Sequence, residues 1–293
     1  AIAERVLGPE HPQTAAAVNN LGGLLQAQGD LAGARPYVER ALAIRERVLG
    51  PEHPDTATSL AWMGYLLQAQ GDLAGARPYY ERALAVWERV LGPDHPDTAR
   101  SLNNLGALLQ AQGDLAEALP YYERSLAIWE RVLSPDHPDT ATSLNNLGGL
   151  LQAQGDVVGA RPYYERALAI RERVLGPDHP DTASSLNNLG GLLQTQGDLT
   201  GARSYYERAL AIWERVLDPD HSDTAKALNN LGGLLQTQGD LAEARPLYER
   251  ALAIDEKVYG LDHPEVATDL NNLGLLLKAL GDVAGARPYV ERA

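Results

Sequence analysis

Seven histidines stand in the chain, at His11, His53, His95, His137, His179, His221 and His263, and each follows the last by 42 residues. Gly-Asp pairs keep the same step, from Gly29-Asp30 and Gly71-Asp72 to Gly281-Asp282. A fixed period of roughly 20–50 residues marks a repeat architecture, in which each unit is a small element that buries its apolar face against its neighbours. At 293 residues the chain is one residue short of seven such units.

The unit that begins at His179 shows what is repeated. "HPDTASSLNNLGGLLQTQ" has the chemistry of a helix start: Pro180 suits the first helical position, and Asp181 puts negative charge in the first turn. Leu186, Leu189, Gly190 and Leu193 recur at i, i+3, i+4 and i+7, which is one amphipathic face. Gly197 stops this helix and Asp198 caps the next. That second helix, "LTGARSYYERALAIWERVL", carries the stripe Ala202, Tyr206, Ala209, Trp213 and Val216. "DPDHS" then breaks the chain before the following start. Each unit reads as helix, tight turn, longer helix, loop, with no strand pattern. Six second helices also carry a proline near their start (Pro36, Pro78, Pro120, Pro162, Pro246 and Pro288), which removes a hydrogen bond and is expected to bend the first turns.

These residues resemble the tetratricopeptide repeat family, whose pattern is W-x2-L-G-x2-Y…A-x3-F…P. Here the unit reads Leu186-x2-Leu189-Gly190-x2-Leu193…Ala202-x3-Tyr206, with Leu in place of the leading aromatics, no closing Pro and a longer second helix. The 42-residue form with "HPDTA…LNNLG…GD…A…YYERAL" is similar to the kinesin-light-chain type of the repeat. The resemblance covers essentially residues 1–293 as a single solenoid. It implies an all-α, right-handed superhelical solenoid of about seven helix-turn-helix repeats, with first helices on the concave face and second helices on the convex one. It implies a protein- or peptide-binding scaffold rather than an enzyme, and it does not carry over motor or cargo functions. Two further roles fit the same architecture: a sensor or regulatory arm of a multidomain NTPase or protease, and an array that stacks end to end with itself.

Composition narrows the partners. The net charge is −14, which disfavours nucleic acid and anionic membrane surfaces and favours a neutral or basic protein segment. No apolar run approaches the ~18–20 residues of a membrane span. The chain has no cysteine, so disulfides, thiolate metal sites and thiol catalysis are excluded. That absence fits a reducing compartment, and a cytoplasmic location is expected. Basic residues are mostly Arg, with Lys only at Lys226, Lys257 and Lys278, a bias expected of a GC-rich bacterial genome. The opening "AIAERVLG" matches the middle of a later unit and the closing "YVERA" falls partway through one, so the chain reads as a fragment of something longer.

No catalytic constellation, metal site or cofactor motif is expected. One histidine per unit gives rungs about 10 Å apart, from helix-packing distances, too far to share a metal. The histidines read instead as loop and helix-cap residues. The Asp and Glu residues pair in sequence with Arg on the second helices, as solvated charges of a helix face.

The recurrent "LNNLGGLLQ" supplies the candidate site. On a 100° wheel the first Asn lies about 110° from the core direction, and the second Asn and second Gly about 150° away on opposite sides. The second-Asn column is therefore expected to face the groove: Asn20, Trp62, Asn104, Asn146, Asn188, Asn230 and Asn272. Its amides can both donate to and accept from an extended peptide backbone; the competing expectation is local hydrogen bonding within the repeats. The first Gly is expected on the packed face near Ala202 and its neighbours. The second unit departs from the pattern, with "LAWMGYLLQ" placing Trp62 and Tyr65 together as an aromatic anchor. On the second helix, the column Arg45, Trp87, Trp129, Arg171, Trp213 and Asp255 accepts arginine, tryptophan and aspartate. That tolerance leads to the expectation of partial exposure on the convex side.

Overall fold

The structure, a computed structural model, describes residues 2–293, the side chains of Ala3 and Ala27 excepted. Those residues form fifteen α-helices and no strand. The chain divides into two compact units, Ala1–Gln154 and Gly155–Ala293. The N-terminal unit contains α1 (Ile2–Leu7), α2 (Pro12–Ala27), α3 (Leu31–Val48), α4 (Pro54–Ala69), α5 (Leu73–Val90), α6 (Pro96–Gln112), α7 (Leu115–Val132) and α8 (Pro138–Ala153). The C-terminal unit contains α9 (Val157–Val174), α10 (Pro180–Thr195), α11 (Leu199–Val216), α12 (Ser222–Gln238), α13 (Leu241–Tyr259), α14 (Pro264–Ala279) and α15 (Val283–Arg292). Within each unit, successive helices pack on one another along the chain, and first helices of adjacent repeats also touch: α6 with α8, α10 with α12, α12 with α14.

Local chemistry sets the helix limits. All seven histidines are N-caps: in α10 the His179 Nδ1 accepts from the Asp181 amide at 3.1 Å, and in α4 His53 does the same for Asp55 at 3.1 Å. An imidazole nitrogen here replaces the usual capping oxygen. Three residues into each of most first helices, a buried threonine hydroxyl donates back to the loop, as Thr182 does to the Gly176 carbonyl at 2.8 Å. Gly197 turns the chain with φ of 81°, a left-handed conformation open to glycine. Asp198 then accepts from the Gly201 amide at 2.9 Å and starts α11. The helix assignment runs unbroken through the internal prolines, as in α3 through Pro36.

The first glycine of each "LGG" makes the pair close. A Cβ on Gly190 would stand 2.7 Å from a ring carbon of Tyr206, and one on Gly64 would stand 3.0 Å from the Tyr80 ring. In these units the first helix lies on an aromatic ring one turn beyond the alanine of the second helix; in the first unit Gly22 meets Val38 and the Ala34 carbonyl instead. The Tyr206 hydroxyl, at the far end of that ring, donates to Gln194 at 3.1 Å. Charges on the second helices pair along the helix, as Arg77 with Glu81 at 2.7 Å, and also between adjacent second helices, as Arg82 with Glu46 at 2.7 Å. These pairs are largely exposed and add little stability individually.

Candidate functional site

The N-terminal unit holds a cavity of about 550 Å³ against the outward face of α4, between α2 and α6. Trp62 and Tyr65 project from α4 three residues apart and meet edge to face, with ring centroids 6.2 Å apart. Trp62 is half-buried because its indole leans on Gly23 of α2; a Cβ there would lie 3.3 Å from the ring. Tyr65 is 51% exposed. Trp87 reaches the cavity from α5, with only 8% of its surface exposed. Asn104, Ser101 and the ion pair of Arg100 with Asp97, 3.0 Å apart, line the α6 side. Burial, and after it the neighbouring Tyr65, raises the pKa of the Tyr80 phenol behind Gly64; its hydroxyl stays neutral and donates to Gln68 at 3.1 Å. The arrangement offers an aromatic surface, two amides (Gln26 and Asn104) and a charge pair already neutralised, so its chemistry is that of a binding surface for an apolar or aromatic side chain.

The structure brings Trp62, Tyr65 and Asn104 together in this cavity. Asn20, on α2, is exposed, and Asn146, on α8, is half-buried. In the C-terminal unit Asn188, Asn230 and Asn272 lie on α10, α12 and α14, each half-buried. Two of the amides are engaged inside the stack. Asn146 donates from Nδ2 to Asn103 at 3.0 Å, and Asn230 does so to Asn187 at 2.9 Å. The second Asn of one repeat thus binds the first Asn of the repeat before it through one N–H, which leaves its side-chain carbonyl and its second N–H for a ligand.

The second-helix column is corrected. Arg45, Trp87, Trp129, Arg171, Trp213 and Asp255 are all buried, with 2–8% of their surface exposed. They lie at the junction with the following first helix. Arg45 Nη1 donates to the Asp55 carbonyl and to Ser59 Oγ, both at 2.9 Å, and Arg171 makes the equivalent bonds to Asp181 and Ser185. Unlike residues are tolerated here without solvent exposure: arginine bonds the polar groups of the junction, and tryptophan fills the same buried place, as Trp87 does opposite Ser101. Trp87 is the site residue that sequence reasoning placed on the wrong side. Its spacing of fourteen from Ser101, shared by Arg45 and Ser59, is the signal that marks the junction.

A sequence profile described as tetratricopeptide repeat matches residues 58–119, 101–157, 144–203, 186–257 and 223–293, and a second profile of the same description matches residues 14–55. Among solved structures, the nearly identical TPR-like repeats of a Podosopora anserina protein assigned as a kinesin light chain are 28% identical, with a TM-score of 0.56 over 70% of this chain and 98% of that one. BtubC (BKLC) from P. vanneervenii is 27% identical, with a TM-score of 0.61 over 82% of this chain and 94% of that one. The Rap conjugation gene regulator of the plasmid pLS20, in complex with the Phr* peptide, shares the fold at 17% identity and a TM-score of 0.70, over 92% of this chain and 70% of that one. No curated protein matches the sequence.

Proposed function

The chain belongs to the tetratricopeptide repeat family, and from that premise we propose that it is a protein- or peptide-binding scaffold that captures an extended, neutral or basic segment on its first helices. The observation that carries the reading is the cavity in the N-terminal unit, where Trp62, Tyr65 and Trp87 converge. A volume of about 550 Å³ accommodates a large apolar side chain of such a segment with room for its main chain. Asn104 stands beside it as a polar contact for that main chain.

The charge preference rests on two observations. The chain carries a net charge of −14, and Arg100, the basic group at the cavity, is tied to Asp97. An acidic segment would meet no free cation there. A solved regulator of the same fold is in complex with a peptide, which supports peptide capture as the use of this architecture.

The test is titration with a peptide selected on the protein from a random display library. Changing Trp62→Ala together with Tyr65→Ala should weaken binding roughly thirtyfold, the scale of an aromatic anchor, while the far-ultraviolet circular dichroism stays the same. A companion variant with Asn146→Ala, Asn188→Ala and Asn230→Ala tests the amides. Unchanged affinity in both would refute the reading.

A further inference from the structure

The junction between α13 and α14 is the one at which two acidic residues meet; at the others an arginine or tryptophan stands opposite a serine or, for Trp213, opposite Ala227. Where Arg45 meets Ser59 and Arg171 meets Ser185, the same register holds Asp255 and Asp269. Both carboxyls are buried, with 2% and 1% of their residue surfaces exposed. They occupy the register in which Arg45 Nη1 and Ser59 Oγ bond, so the two carboxyls face one another, and two facing carboxyls can bond only if one of them keeps its proton. The other contact is neutral: Asn229 of α12 donates from Nδ2 to Asp269 Oδ1 at 2.5 Å. Asp255 Oδ1, Asp269 Oδ2 and Asn229 Oδ1 have no hydrogen-bond partner.

The surroundings favour the protonated form. From α12 the pair faces Lys226, which is exposed and sits 3.5 Å from Asp223 of the same helix. From α13 comes Glu256, paired with Arg292 of α15. From α14 comes Glu265, and His263 heads that helix, stacked on Tyr259. Burial first, then the charges of Asp269 and Glu265, raise Asp255 from the ordinary carboxylate range towards neutrality, against the weaker pull of Lys226. Burial raises Asp269 as well, against its bond to Asn229 and the facing Asp255.

We propose that Asp255 and Asp269 form a proton-held latch on the last helix pair: one shared proton clamps α14 to α13, and ionisation of both carboxyls releases α14 and α15 together. The sign follows from linkage. In the window between the ordinary carboxylate range and neutrality the folded junction keeps a proton that the open one has lost, so the junction's stability is present at acidic pH and declines as pH rises through that window. Release would take Leu270, Leu273 and Leu277 out of the core and remove Asn272 from the array, so the scaffold presents one repeat fewer at higher pH.

Hydrogen exchange of the full chain, read by mass spectrometry at pH 5.5 and pH 8.5 and corrected for intrinsic rates, tests the proposal. Protection of α14 and α15 should fall at least tenfold at the higher pH, while α10 and α11 keep theirs. Asp255→Trp with Asp269→Ser installs the pairing found at Trp87 with Ser101 and removes both titrating groups; protection should then be the same at both pH values. Asp269→Asn alone, which keeps the shape, should also hold the helices at pH 8.5. Wild-type protection that does not change with pH would overturn the latch. So would a pH dependence that survives in the Asp255→Trp, Asp269→Ser variant, since that would assign it to another group.

Discussion

Asn146 donates from its Nδ2 to the Oδ1 of Asn103, 3.0 Å away on the first helix of the preceding repeat. The bond makes the paired asparagines of "LNNLG" a connection between repeats, with one member giving and the other receiving. A double-mutant cycle on Asn103→Ala and Asn146→Ala should return a coupling of about 1 kcal/mol, the usual net worth of a hydrogen bond. Urea unfolding measures it, and additive single effects would show that the bond contributes nothing in solution.

The two glycines of "LGG" should respond in opposite directions. Gly190→Ala drives a methyl group into the Tyr206 ring and should cost about 1–3 kcal/mol, as overpacking does. Gly233→Ala meets only the Tyr248 hydroxyl, at 3.4 Å, and should stabilise its helix by up to ~1 kcal/mol. Thermal melts of the two variants side by side test the contrast, and equal shifts would contradict it.

His179→Ala removes the acceptor for the Asp181 amide and should cost about 1 kcal/mol, the value of an N-cap. His179→Asp restores an acceptor at the same place and should recover most of the loss. A variant as unstable as the alanine form would mean that the imidazole acts through packing.

Arg45→Trp should be neutral or stabilising, because Trp87, Trp129 and Trp213 already occupy the same buried register. Arg45→Ala should cost about 3 kcal/mol, since it leaves a cavity and strips the Asp55 carbonyl and Ser59 of their donor. Chemical denaturation of both variants provides the comparison.

Much of this could be read from the repeat itself. The step of His179 and Gly197 marks helix starts and turns because capping and left-handed backbone are local chemistry, decided within a few residues. The wheel separates the two asparagines less clearly: Asn145 is buried and Asn146 half-buried, but Asn187 and Asn188 are both half-buried, and Asn271 is more exposed than Asn272. What the wheel cannot see is the next helix along. Trp87 packs with Ala57 and Leu60 of its own partner α4 and also lines the cavity beside Ser101 of α6, an element that a single amphipathic pattern does not contain. The same blindness hid the bond from Asn146 to Asn103, whose partners are 43 residues apart. Variation in the column of Arg45 and Asp255 looked like exposure because each residue was weighed without the one fourteen positions later.

Repeats this alike compete for one another's neighbours as the chain folds. A helix pair that slips by one unit would meet a surface almost identical to its own at most junctions, with a serine waiting opposite its arginine or tryptophan. At the last junction it would not. Trp213 shifted onto α14 would lie over Asp269 and seal in a carboxyl deprived of its mate. The mismatched aspartates therefore give an otherwise uniform chain a fixed point from which its other units can be counted.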